Sequence, residues 1–340
     1  FNVTEGGGDS AEVALELMPG NKIRKYDTWH AMGQGATTGS LVVTLEALKE
    51  MHLTPEDIQL IQNDTKTCPD TGMAGASRSL YMDGNATIIA ANKLLAAMRK
   101  EDGTLRTYDE MKAEGIETKY LGRYETNTTP GLCRLDPNTG IGDPTPAFTY
   151  CLNLAEVEVD TKTGKTTVLK FTCVDFVGRI GNIDAVNGQA YSGIMHGIGF
   201  ALKEDYADVK KHANMFGAGT SYIKDVPDDI NLIHIDGAIS DGPFGSSGAS
   251  EAFQASGHCA VLNGIYNACG VRIHEIPALP EKVKAGLDAI AKGEKPYEPK
   301  KYFLGSDMYE ELENIKENPV QVGTQSFYVS LDDPTAERPF

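Results

Sequence analysis

Apolar and polar residues alternate with a period of two near the start of the chain. Ala11, Val13, Leu15 and Leu17 are separated by Glu12, Ala14 and Glu16, the pattern of a strand with one buried face. Pro19-Gly20-Asn21 supplies a turn, and Ile23 to Tyr26 predicts the return strand. A glycine loop follows, Gly33-Gln34-Gly35-Ala36-Thr37-Thr38-Gly39. Leu41, Leu45 and Leu48 then fall at helical spacing. Pro55-Glu56-Asp57 punctuates ahead of a short strand at Ile58 to Gln62. A second loop, Cys68 to Arg78, feeds a long helix over about 79–100, rich in Ala, Ile and Leu.

Residues 101–150 are polar and turn-rich and predict a small helix with irregular surface. From 154 to 175 the pattern is a hairpin: Ala155 to Asp160 alternates, Thr163-Gly164-Lys165 turns, and Val168 to Phe176 returns. A third loop leads from Gly181 into a helix whose apolar face is Ile194, Ile198 and Leu202. Ile230, Leu232, Ile233 and Ile235 predict a strand. A fourth loop, Gly242 to Glu251, enters a helix expected to run to about Cys269, and a last helix spans Glu281 to Ala291. The expected organisation is one α+β (mixed α/β) domain over 1–290. An extended, charged tail is expected over 291–340, with an amphipathic piece at Met308 to Ile315.

Composition narrows what such a domain can do. Acidic residues outnumber basic ones 48 to 31, for a formal net charge of −17. This argues against a nucleic-acid partner, since phosphate contacts require clustered Lys and Arg, and against a polybasic membrane anchor. No apolar run approaches the ~18 residues of a membrane span. The six cysteines, at 68, 133, 151, 173, 259 and 269, include no Cys-x-x-Cys pair, so zinc and iron–sulfur signatures are missing and reduced thiols are expected. His258, Cys259 and Cys269 share one predicted helix at spacings that do not converge on an ion, which favours a packing role. The chain opens on Phe1 and reads as a processed piece, a fragment or one subunit of a split enzyme.

Glycine is the informative excess, 36 of 340 residues against a usual ~7%. A glycine loop feeding a helix aims several backbone N–H groups one way, and the helix dipole adds partial positive charge there. One such loop is most simply a turn. Four in one domain can hold a large anion through backbone instead of lysine, which suits an acidic protein. None of them is a nucleotide loop of the familiar kinds. No Gly-Lys-Ser/Thr occurs, and Gly33-x-Gly35 is followed by Gly39 one place late for Gly-x-Gly-x-x-Gly.

The ordered set is more specific than any member. Gly33-Gln34-Gly35-Ala36, Thr71-Gly72-Met73-Ala74-Gly75-Ala76-Ser77, Gly188-Gln189 with Gly197-Ile198-Gly199, and Asp241-Gly242-Pro243-Phe244-Gly245-x-x-Gly248-x-x-Glu251 follow one another. That order resembles the C-terminal molybdopterin-binding domain of the xanthine dehydrogenase/aldehyde oxidase family, over roughly residues 9–290. The stretch from Ala201 to Ile235 is similar to bacterial aldehyde oxidoreductases of the Desulfovibrio type.

The resemblance implies the family's molybdenum-cofactor-binding fold and a molybdenum held by a pterin dithiolene, carried as the cytosine dinucleotide. The protein itself would supply no metal ligand. Gly33, Gln34, Gly35 and Ala36 would line the cofactor near the metal. Thr71, Gly72, Ala74, Ala76 and Ser77 would bind its phosphates and pterin. Gly248, Ala249 and Ser250 would offer backbone donors, and Glu251 would be the general base that takes a proton as oxygen attacks an electron-poor carbon. His196 stands where the family has Gln before Gly-Ile-Gly, as a cofactor contact or a packed histidine. Ser250 replaces a glycine beside Glu251. Met32 is expected in the core, with the wall of a substrate funnel as its other possible place. Arg78 is read equally as a phosphate ligand or a structural residue.

The implied activity is oxidation of an aldehyde to a carboxylic acid. Hydroxylation of an N-heterocycle such as a purine or nicotinate, and a non-catalytic scaffold, are the alternatives. The family's iron–sulfur clusters and the earlier half of its molybdenum domain have no counterpart in these 340 residues. They are expected in a partner chain or domain, so a hetero-oligomer or a proteolysed chain with its pieces still attached is implied.

Overall fold

The alternating stretch at the start forms strand β1 (Ser10–Met18), turns through Pro19–Asn21 and returns as β2 (Lys22–Asp27). Ala11, Val13, Leu15 and Leu17 are fully buried, as their period requires. The computed structural model describes residues 9–62, 64–126, 142, 147–208, 210–239, 241–294 and 317. The expected segment Met308 to Ile315, and Cys133, lie outside them.

Strand β3 (Ile58–Gln62) runs parallel to β2, and β4 (Lys119–Glu125) runs antiparallel to β1, so the first sheet has the order β3-β2-β1-β4. Helices α1 (Ala36–Ala47) and α2 (Ser79–Met98) pack together, and α2 lies across β1 and β4. The expected small helix is α3 (Tyr108–Ala113). Strand β4 corrects the reading of this region as irregular surface. Its middle residue, Gly122, lets α2 approach so closely that a Cβ there would sit 2.1 Å from the Ala86 carbonyl oxygen. Helix α1 also starts earlier than expected, so Gly39 is inside it, against the Trp29 ring.

The second sheet has the order β5-β6-β7. The hairpin of β5 (Tyr150–Val159) and β6 (Thr166–Phe176) is antiparallel, with an irregularity at Glu156/Val157, and β7 (Asp229–His234) pairs parallel to β6. Helix α4 (Ile183–Leu202) packs on α5 (Ser250–Ala255) and α6 (Gly257–Cys269), and α7 (Pro280–Ala291) closes the edge of this core. The single helix expected from loop four to Cys269 is therefore two, broken at Ser256. Phe171, Ile194, Ile198, Phe253, Val261 and Ile265 fill the core. The five described cysteines are free thiols. No helix among the described residues is long and apolar enough to cross a membrane.

Beneath the first two loops lies a buried ionic network. The Lys25 ammonium is 2.7 Å from Asp83 and 3.3 Å from Asp27, and all three side chains are wholly buried. Asp27 also accepts from Ser40 Oγ at 2.6 Å and Gln62 Nε2 at 2.6 Å. One cation faces two carboxylates here. Burial pushes the Asp83 carboxyl up to about 6; Lys25 opposes the rise and Asp27 adds to it.

This network has two measurable consequences. Lys25→Met leaves two buried carboxylates uncompensated and costs about 3–5 kcal/mol, read as a lowered denaturant midpoint. The Asp83 carboxyl contributes stability that is complete below its ordinary value of 3.8 and is lost as pH rises through about 6. The stability of Asp83→Asn relative to the unsubstituted protein therefore rises between about pH 4 and 6. Parallel stability curves across that range would rule out the titration.

Candidate functional site

The first loop leaves β2 through Asp27 and Trp29 and enters α1. Gly33 and Gly35 adopt left-handed conformations (φ 101° and 89°), which L side chains rarely adopt. Gly35 caps α1 without any side-chain hydrogen bond, so the helix start presents bare backbone donors. The Gln34 side chain braces its own loop, accepting from the Met32 N–H and donating to the His30 carbonyl. Met32 is 71% exposed and borders the cavity described below. That corrects its expected place in the core.

The second loop is set by Arg78, which is 2% exposed. Its Nη1 donates to the carbonyls of Thr71 (3.1 Å) and Met73 (2.7 Å). Its Nη2 donates to Asp9 Oδ1 (2.9 Å) and the Ser10 carbonyl (3.0 Å), and its Nε to Asp9 Oδ2. All five guanidinium donors are thus spent on the chain, and Arg78 is a structural clamp with none left for a phosphate. Thr71 is likewise an interior strut. Its hydroxyl accepts from the Thr28 N–H at 2.9 Å and donates to the Glu12 carbonyl at 3.1 Å.

The fourth loop carries Glu251 at the start of α5, exposed to solvent. The second loop docks on it. Ser77 Oγ donates to Glu251 Oε2 at 3.0 Å and accepts from the Glu251 N–H at 3.1 Å. Gly248 makes this docking possible, because a Cβ there would lie 1.6 Å from the Ser77 carbonyl oxygen. Ala76 and Ser77 are themselves left-handed (φ 51° and 52°), a conformation that persists only where the surroundings impose it.

The loops enclose a cavity of about 670 Å³, within the size range of small-molecule and cofactor sites. Of the residues expected at the site, Gln34, Gly35, Ala36, Ala74, Ala76, Ser77, Gly248, Ala249, Ser250 and Glu251 line it. Gly33, Thr71, Gly72 and His196 do not. His196 is exposed on α4, with its ring 6.3 Å from that of Phe200. The third loop joins through Gly181 and Asn182, and from α4 Gln189 Nε2 reaches the Gln34 carbonyl at 3.4 Å.

Sequence reading missed Trp29 and Arg179 on this wall. Arg179 is the one basic side chain lining the cavity, and its guanidinium forms no ion pair among the described residues. Its signal in the sequence is a cation placed just before the helix start at Gly181-Asn182.

The wall combines left-handed glycines, a helix start without a side-chain cap and one cation, Arg179, with the carboxylates of Glu46 and Glu251. Among the described residues no group of three or more His, Cys, Asp or Glu side chains is arranged to hold a metal. The backbone donors at the uncapped start of α1 and the Arg179 guanidinium are the groups here that could hold an anionic group.

Comparison with known proteins agrees with that geometry. The family model described as a molybdopterin cofactor-binding domain matches residues 1–227. The aldehyde oxidoreductase of Megalodesulfovibrio gigas is 41% identical over 283 residues, 83% of this chain and 31% of that protein. A probable hypoxanthine oxidase of Escherichia coli is 28% identical over 277 residues, 77% of this chain and 29% of its own. The crystal structure of the aldehyde oxidoreductase from Desulfovibrio desulfuricans superposes with a TM-score of 0.78 at 44% identity, covering 82% of this chain and 30% of that one. The chain thus spans about a third of the length of these relatives. It belongs to the molybdopterin cofactor-binding domain family, with the fold of the aldehyde oxidoreductase and xanthine dehydrogenase enzymes.

Proposed function

We propose that this chain is the cofactor-binding portion of a molybdenum hydroxylase that oxidises an aldehyde to a carboxylic acid. The observation that carries this reading is the Glu251 carboxylate, held by Ser77 at the wall of the cavity. In the balanced reaction an aldehyde and water give a carboxylic acid, two electrons and two protons. Oxygen transfer and acceptance of the two electrons are the chemistry that the molybdenum–pterin group supplies when bound. Glu251 takes the proton released as oxygen is delivered to the carbonyl carbon. Gln34, Gly35, Ala36, Ala74, Ala76, Gly248, Ala249 and Ser250 form the wall that would hold and orient the group, and Arg179 would supply a cation for its phosphates. The cytosine dinucleotide is the form we assign.

The electrons leave to iron–sulfur clusters in another domain or chain, which together with the earlier half of the molybdenum domain makes up the remainder of the enzyme. The share of each relative that lies beyond this chain supports that assembly. An aldehyde is favoured over an N-heterocycle by identities of 41% and 44% to aldehyde oxidoreductases, against 28% to the hypoxanthine oxidase.

Purified enzyme should contain molybdenum and release a cytosine nucleotide in acid, and absence of both would sink the reading. Glu251→Gln should lower turnover about 10²–10⁴-fold with molybdenum and nucleotide retained. Side-by-side assays of acetaldehyde, benzaldehyde, xanthine and nicotinate decide the substrate class, and activity confined to the heterocycles would replace the aldehyde. Gly248→Ala pushes loop four off loop two, and it should lower both the nucleotide content and the melting temperature of the protein. Unchanged nucleotide content would detach the docking of these two loops from cofactor binding.

A further inference from the structure

We propose that Ser77 is a positioning residue for Glu251, not a ligand of a cofactor phosphate. The proposal rests on the reading of Glu251 as general base. The Ser77 hydroxyl has one proton, and it goes to Glu251 Oε2 at 3.0 Å. One of its lone pairs takes the Glu251 N–H at 3.1 Å. The two groups therefore close a reciprocal pair across 174 positions of sequence. Among the described residues no other side chain or backbone group bonds the Glu251 carboxylate.

Helix α5 explains the second half of the pair. It is six residues long and has no side-chain cap of its own. Ser77 supplies from the first half of the chain the acceptor that an Asp, Ser or Thr would normally supply from the N-cap position. The hydroxyl is itself held on two sides. The next residue is Arg78, locked by its five donors, and the Ser77 carbonyl lies against Gly248.

The backbone of Ser77 is left-handed (φ 52°), a conformation that persists in a non-glycine residue only where its surroundings impose it. A glutamate on an exposed, uncapped helix start would otherwise sample several rotamers. Fixing it in one pre-organises the proton transfer.

The test uses the purified holoenzyme and three variants. Ser77→Gly removes the hydroxyl while accepting the left-handed backbone without strain, so the loop folds. It should lower kcat about 10- to 100-fold, leaving KM, molybdenum and cytosine nucleotide unchanged. Hydrogen exchange of the Glu251 amide should speed up in the same variant, because its acceptor is gone. Ser77→Asn tolerates the left-handed region and carries an amide donor, so it should recover much of the lost kcat. Ser77→Gly combined with Glu251→Gln should be no slower than Glu251→Gln alone, since paired residues are non-additive.

Full kcat in Ser77→Gly overturns the proposal. So does loss of cofactor with unchanged turnover per bound molybdenum, which would return Ser77 to the phosphates. Undiminished activity in Glu251→Gln alone overturns instead the reading of Glu251 as base, whatever Ser77→Gly does.

Discussion

The site stands on a lysine that never reaches water. Lys25 projects from β2 into the space between β2, α1 and α2, where Asp27 and Asp83 meet it. A buried cation must be matched by nearby anions, because its desolvation is otherwise prohibitive. Asp27 is the last residue of β2 before the first loop, and its remaining lone pairs hold Ser40 of α1 and Gln62 of β3. Asp83 stands one turn into α2, the helix that the second loop feeds. Satisfying one ammonium thus orients both loops of the first half. Trp29, between Asp27 and the glycines, packs on Gly39 and contributes to the cavity wall.

Arg78 has the corresponding role in the layer above. It binds three carbonyls and the Asp9 carboxylate. The tip of the second loop is thereby stiff enough to keep Ala76 and Ser77 left-handed. That stiffness crosses to the second half of the chain through the contact of Ser77 with Gly248 and Glu251. Among the described residues, the two buried cations are thus consumed by partners within the chain. The cavity lining among these residues therefore holds one basic side chain, Arg179, beside the carboxylates of Glu46 and Glu251.

Much of the fold was legible in the residues. The alternation of β1, the hairpin of β5 and β6 and the long apolar helices α2 and α4 all follow directly from period and turn chemistry. Strand β4 was not legible, because Lys119–Glu125 (KYLGRYE) is polar and its one buried residue is a glycine. Only the approach of α2 makes sense of that pattern. The break at Ser256 was hidden for a similar reason, since apolar residues continue at helical spacing on either side of it. Ten of the fourteen expected site residues meet at the cavity. His196 does not, because it lies seven residues beyond Gln189 on α4, about 10 Å further along the axis. Thr71 and Arg78 belong to the right loop, but their polar groups turn inward, and sequence cannot separate a loop's inner from its outer donors. The pairing of Ser77 with Glu251 spans too much sequence to be read from either motif.

The small residues in the wall change how such a cavity can be interrogated. Substitution to alanine removes nothing at Ala36, Ala74 or Ala76 and adds a methyl group at Gly35 and Gly248, so truncation cannot report on these parts of the lining. The informative substitutions are those that add atoms. At Gly248 bulk therefore matters more than polarity, because a methyl group there meets the Ser77 carbonyl oxygen.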